Sequence, residues 1–190
     1  ADCGITCSYQ ATIPGLVAKG YTYDEAEMLI TRSVQLFLKA RDAWWEAEGK
    51  NENRAYPLCL GAVGPYGAYL ADGSEYKGHY GVSDETLRDF HRRRMELLWE
   101  SGADLLLIET QPSLHEAQIE AEIAEQLGAD YWLSFSCRDE GHIHEGDSIE
   151  ACAKAFETGF PGLKMIGVNC TPPALIEPLI HRLRESCALP

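Results

Sequence analysis

Gly102-Ala103-Asp104-Leu105-Leu106-Leu107-Ile108-Glu109-Thr110 is the stretch on which the fold turns. A glycine at the end of a helical pattern takes the left-handed conformation that closes the chain on the helix's last carbonyls. The apolar run Leu105-Leu106-Leu107-Ile108 that follows has the composition of a strand covered on both faces, and a carboxylate ends it. The same junction stands at Ala1-Asp2, before Cys3-Gly4-Ile5-Thr6-Cys7, and at Gly128-Ala129-Asp130, before Tyr131-Trp132-Leu133. Apolar runs at 57–63 and 164–168 complete a series of five. Adjacent parallel strands are therefore expected near residues 4–8, 58–63, 105–109, 131–136 and 165–169.

The segments between the runs carry helix start signals. Thr22 with Glu25, and Ser113 with Glu116, have capping-box spacing; Ser83 is followed by Asp84 and Glu85, where the helix dipole favours anions. In the first long helix Ala26, Leu29, Ile30, Ser33, Phe37, Ala40 and Trp44 recur at three and four, one apolar stripe to lay on a sheet. A last helix is expected over 173–187. Alternation of strand and helix fits either an open doubly wound sheet or a barrel. Polar residues end every run: Ser8-Tyr9-Gln10, Gly64-Pro65-Tyr66, Glu109-Thr110, Ser134 with Ser136, and Asn169-Cys170. A ring of such ends around one mouth is the behaviour of a barrel, whereas an open sheet concentrates its site at one switch point. The expectation is an α/β fold of the (β/α)8 TIM-barrel type, with residues 1–190 as a single, partial barrel domain that looks incomplete at both ends.

Thirty acidic residues against 16 basic ones leave a net charge of −14, which repels phosphate backbones and anionic lipid surfaces. Neither nucleic acid nor membrane is an expected partner, and no apolar stretch approaches the roughly 20 residues of a membrane helix. The 7 cysteines lack any C-x-x-C spacing, so reduced thiols and a cytoplasmic location are expected.

Two residues stand out as site candidates. Cys170 closes the run Met165-Ile166-Gly167-Val168-Asn169 at a strand's C-terminal mouth, where a thiol is either part of a site or a small buried filler. Glu109 closes its run beside an apolar interior and must find a cation or donors, either an internal Arg or Lys or a substrate ammonium. Gly61, Gly64 and Gly67 match no phosphate-binding fingerprint, and Pro65 removes an amide; they read as tight loop geometry. His142 and His144 lie in a polar loop with no third ligand nearby and read as solvated, and Trp44-Trp45 reads as packing.

Ser8-Tyr9-Gln10-Ala11-Thr12, the segment from Val63-Gly64-Pro65-Tyr66-Gly67 through Asp72-Gly73-Ser74-Glu75-Tyr76, Glu109-Thr110, Ser134-Phe135-Ser136-Cys137 and Gly167-Val168-Asn169-Cys170-Thr171 together resemble the homocysteine S-methyltransferase family. The match runs in order along the whole chain, and the Gly64–Ser74 segment resembles the branch that uses S-methylmethionine or S-adenosylmethionine. The resemblance implies a zinc-dependent methyltransferase of methionine biosynthesis: a sulfonium donor's methyl group passes to the thiol of L-homocysteine and gives methionine. It implies a barrel of which this chain supplies about strands two to six, and a zinc ion held by three cysteines. Cys170 matches the first of these; the adjacent pair that follows strand eight in the family has no counterpart here, so the zinc site is expected to be incomplete in this chain. By the same resemblance Glu109 binds the homocysteine ammonium, Tyr9, Gln10 and Asn169 line the mouth, and no residue is assigned a catalytic role. Unpaired edge strands imply self-association. The alternatives are a non-catalytic barrel fragment and a different barrel enzyme, such as an aldolase or isomerase. Lys164 at the start of its strand argues against the latter.

Overall fold

The computed structural model describes residues 1–190. One sheet holds β1 (Cys3–Ile5), β2 (Leu58–Val63), β3 (Leu105–Gln111), β4 (Tyr131–Phe135) and β5 (Leu163–Val168), in the order β1-β2-β3-β4-β5. Every neighbouring pair is parallel. Sequential order contains no point at which the strand order reverses, so there is no switch-point crevice; it is the order of a barrel wall. The helices are α1 (Ile13–Ala18), α2 (Tyr23–Ala47), α3 (Tyr66–Leu70), α4 (Asp84–Glu100), α5 (Leu114–Leu127), α6 (Ile149–Ala155) and α7 (Pro173–Ser186).

Strand alternation divides the apolar residues between two faces. Cys59, Leu106, Ile108, Tyr131, Leu133, Phe135 and Ile166 join the helices in a core of 32 buried residues, while Leu60, Leu105 and Leu107, with Cys3, Leu58 and Trp132, form a thin separate layer on the other face. That second layer is what the inside of a barrel wall looks like when only part of the barrel is present. After α7 the chain returns to the sheet, and the Pro190 carbonyl accepts from the Ile166 N–H at 3.2 Å on the outer edge of β5.

The strand ends depart from the sequence expectation where side chains replace the ladder. β1 stops at Ile5, not at Ser8, because the Thr6 hydroxyl accepts from the Ala62 N–H at 3.0 Å and the Ser8 hydroxyl donates to the Ala62 carbonyl at 2.7 Å. β3 runs on to Gln111 through an irregularity between Ile108 and Gln111. In α2 the full capping box forms between Thr22 and Glu25, but the buried stripe is Ala26, Ile30 and Val34; Ala40 faces solvent. The Ser113–Glu116 box is only half made. Ser113 Oγ accepts from the Glu116 N–H at 3.3 Å, while the Glu116 carboxylate turns away to buried partners on α4 and the loop after β2.

Candidate active site

The strand ends of β3, β4 and β5 meet at one amide. Asn169 Oδ1 accepts from the Thr110 N–H at 2.9 Å and from the Ser134 hydroxyl at 2.9 Å. Because a backbone N–H can only donate, this pair fixes which way the amide faces. Its Nδ2 therefore points at Thr110 Oγ1, at 2.9 Å, and at Glu109 Oε2, at 3.2 Å, with Cys170 Sγ at 3.7 Å. The Thr110 hydroxyl in turn donates to Cys170 Sγ at 3.5 Å. Glu109 and Cys170, expected at the same mouth, share one neighbour.

Backbone geometry makes this convergence possible. Consecutive residues of a strand point to opposite faces, yet Glu109 and Thr110 both reach the Asn169 amide, because Thr110 sits in the left-handed region at φ 62°. Cys170 does the same after Asn169, at φ 47°. Its thiol is exposed. Glu109 is half-buried with no cation beside it, and burial alone pushes its carboxyl up.

A second group overhangs this cluster from the loops after β1 and β2. The Tyr9 hydroxyl donates to Glu75, and burial, reinforced by that carboxylate, pushes the phenol up. Two glycines allow the approach: a Cβ on Gly64 would lie 2.6 Å from the Tyr9 ring, and one on Gly67 would lie 2.5 Å from the Glu75 amide nitrogen. Tyr76 reaches the Cys170 sulfur, its phenol pushed up to about 12 by burial and then by that sulfur, and its ring meets His144 edge-on at 5.6 Å. His144 is thus a part-buried neighbour of the site rather than the solvated residue expected from its loop; burial lowers its pKa. His142 lies beside Asp139 at 2.9 Å with 45% of its side chain exposed.

Of the residues singled out in the sequence, Cys170, Glu109 and Asn169 come together and Tyr9 overhangs them. Gln10 is exposed, and its amide is spent on the Ala68 carbonyl at 3.4 Å. Lys164 pairs with Asp130 at 3.0 Å at the opposite end of its strand, as expected. Thr110, Ser134, Glu75 and Tyr76 are the neighbours that sequence reasoning did not single out; Thr110 and Ser134 carry a signal, each as a polar residue at the end of an apolar run.

Behind the overhanging loop lies a buried ionic cluster. His91 contacts Glu116 at 2.9 Å and Glu120 at 2.9 Å, and all three are essentially without exposed surface. Arg94, 2% exposed, donates to His91 Nδ1 at 2.8 Å and to the Gly64 carbonyl, while Glu116 accepts from the Tyr66 N–H at 2.6 Å. Burial pushes Glu116 up to about 7 and His91 down. The cluster clamps the Gly64-Pro65-Tyr66 turn to α4 and α5 by its backbone.

The donor set can be tested for a metal. Cys170 offers a soft, exposed sulfur that accepts from the Thr110 hydroxyl and lies 3.7 Å from Asn169 Nδ2, surroundings that suit a thiolate. No group of three or more His, Cys, Asp or Glu residues in the chain stands close enough to hold an ion. The chain's own residues thus form no complete metal site.

Comparison with known proteins covers the whole chain. The family model described as homocysteine S-methyltransferase matches residues 1–190. Homocysteine S-methyltransferase YbgG of Bacillus subtilis is 42% identical over 191 residues, covering 100% of this chain and 60% of that protein. Homocysteine S-methyltransferase 3 of Arabidopsis thaliana is 45% identical over 199 residues, covering 98% of this chain and 57% of that protein. A selenocysteine methyltransferase of Astragalus bisulcatus is 42% identical over 204 residues. The chain thus spans about 60% of the length of its B. subtilis relative. The metallated form of the Escherichia coli homocysteine methyltransferase MmuM superposes with a TM-score of 0.94 at 39% identity, over 100% of this chain and 65% of that one. The apo form of the same enzyme superposes at 0.82.

Proposed function

Since this chain belongs to the homocysteine S-methyltransferase family, we propose that it forms the homocysteine-binding wall of a zinc-dependent enzyme that methylates the homocysteine thiol. The observation that carries the reading is Glu109, a half-buried carboxylate at a strand mouth with one amide contact and no cation. An unpaired carboxylate in that position calls for a cationic ligand, and the ammonium of an amino acid supplies one. With the ammonium on Glu109, the amino acid's side chain extends toward Cys170, which shares the Asn169 amide with Glu109.

Cys170 would hold the zinc together with ligands outside these residues, and the bound ion supplies the charge that keeps a substrate thiol deprotonated at neutral pH. The remaining work falls to the chain's own groups. Glu109 and Asn169 fix the orientation of homocysteine, an entropic contribution to in-line attack. The homocysteine sulfur bonds to the donor's methyl carbon as the carbon–sulfonium bond breaks, and the donor leaves as a neutral thioether, so no general acid is required. Tyr9 and Tyr76 flank the cluster on the side of the loops after β1 and β2. The donor is S-methylmethionine or S-adenosylmethionine, which the Gly64–Ser74 segment supports by resemblance. The product is methionine, which makes this a step of methionine biosynthesis. Seven free cysteines favour a reducing compartment such as the cytoplasm. No helix of the structure is long and apolar enough to cross a membrane.

Zinc analysis and activity of Cys170→Ser test the reading, made in a barrel completed with the remaining segments of a family member. Loss of one thiolate should deplete the metal and abolish methyl transfer from S-methylmethionine. A variant that retains stoichiometric zinc and turns over normally would remove Cys170 from the mechanism.

A further inference from the structure

We propose that Thr110 is a positioning residue for Cys170: its buried hydroxyl sets where the sulfur points and how tightly that sulfur holds a metal. The proposal deepens the reading of Cys170 as a zinc ligand and rests on it. A β-branched residue in the left-handed region is a genuine backbone outlier, one that persists only where its surroundings over-determine it. Thr110 is such a residue, at φ 62° and 1% exposed. Glycine or asparagine would take this backbone with less strain, so what the position gains from threonine must come from the side chain.

Proton counting shows what that gain is. Asn169 Nδ2 has two protons, and its nearest acceptors are Thr110 Oγ1 at 2.9 Å and Glu109 Oε2 at 3.2 Å. The contact from Asn169 to Cys170 Sγ, at 3.7 Å, is left without a proton of its own. The Thr110 hydroxyl accepts from Asn169 and has a single proton to give; Cys170 Sγ lies within its reach at 3.5 Å, with the Tyr9 phenol as its other neighbour. Thr110 is thus the buried, sheet-borne donor to the sulfur, whereas Tyr76 approaches from the loop with 42% of its surface exposed. The Thr110 N–H on Asn169 Oδ1, and Ser134 on the same oxygen, hold the hydroxyl's acceptor side in register. A donor of this kind orients the ligand's lone pairs, and loss of such outer partners costs about tenfold to a hundredfold in metal affinity.

The test is zinc affinity by competition with a chromophoric chelator, in the barrel completed as above, for three variants. Thr110→Val keeps the branch and volume without the hydroxyl and should bind zinc about tenfold to a hundredfold more weakly. Thr110→Ser keeps the hydroxyl and should stay near the parent. Thr110→Gly relaxes the left-handed backbone, which offsets part of the lost side-chain packing, and lacks the hydroxyl, so it should share the loss; it carries the test if Thr110→Val does not fold. Parental zinc affinity in the valine or glycine variant overturns the proposal, as does a serine variant as weak as the valine one. Retention of zinc by Cys170→Ser would instead sink the underlying assignment of the metal ligand, whatever the Thr110 variants do.

Discussion

Glu109 has one hydrogen bond, from Asn169 Nδ2, and glutamine can accept the same bond. Glu109→Gln therefore leaves the Asn169 hub intact while removing the negative charge offered to an ammonium. A charge-assisted hydrogen bond contributes roughly 1.5 to 3 kcal/mol, so homocysteine binding should weaken by about tenfold to a hundredfold, with metal content unchanged. Titration with homocysteine, with zinc measured in the same samples, checks this; loss of zinc in Glu109→Gln would mean that the carboxylate serves the metal and not the substrate. Glu109 and Cys170 were legible in the sequence because each ends an apolar run, and a strand's end in a parallel sheet is a place in space as well as in the chain. Thr110 was not. Nothing in a run that ends Glu-Thr says that the threonine backbone turns left-handed; that follows from Asn169, 59 residues away, taking both its N–H and its hydroxyl. Gln10 differs in the opposite way: its strand end is found, but the local turn sends its amide to Ala68 and not to the Asn169 hub.

Helices α4 and α5 packed together create a cluster that no single element announces. His91 and Arg94 lie one turn apart on α4, and Glu116 and Glu120 one turn apart on α5, so each pair reads in isolation as an ordinary solvated face. Glu116 even carries a plausible local role in its capping box, which buried partners override. Burial places its folded pKa at about 7 against an ordinary 4.5. The folded chain thus keeps a proton on Glu116, between those pH values, that the unfolded chain has released. Stability from this group must fall as pH rises through that window and level off above it, a change of about 3 kcal/mol by the size of the shift. Burial lowers His91, which acts in the opposite sense and destabilises the fold as pH drops below the ordinary histidine value. In Glu116→Gln the side chain is neutral throughout. Its melting temperature should decline less than the parent's between pH 5 and pH 7.5, while the acid-side loss from His91 remains. Equal slopes for the two proteins would show that Glu116 is ionised in the fold at both pH values. The same variant keeps an acceptor for the Tyr66 N–H, so the turn that carries Tyr66 should stay in place.

Strand order at the scale of the whole molecule explains why the fold was readable when several boundaries were not. Each βα unit is written locally, by an apolar run and a polar end, with a glycine closing the preceding helix before β3 and β4, and five such units in sequence leave little choice but neighbouring parallel strands. What the local pattern cannot convey is how the two outer edges are satisfied. β1 presents Ile5 at 53% exposure on one side and β5 presents Met165 at 38% on the other, and the thin layer of Leu60, Leu105 and Leu107 has no facing wall. Unpaired strand edges beside uncovered apolar surface favour pairing with another chain, and the charge of −14 opposes it only at distances within about 10 Å at 0.1 M salt. The 190-residue polypeptide by itself should therefore self-associate, more strongly as salt screens that repulsion, whereas the barrel completed with a family member's remaining strands should not. Sedimentation velocity over a range of protein and salt concentrations distinguishes the outcomes. A 21.1 kDa species that stays monomeric at high salt and unfolds in one cooperative step would show that the helices and the 32-residue core on the outer face stabilise this wall without its missing neighbours.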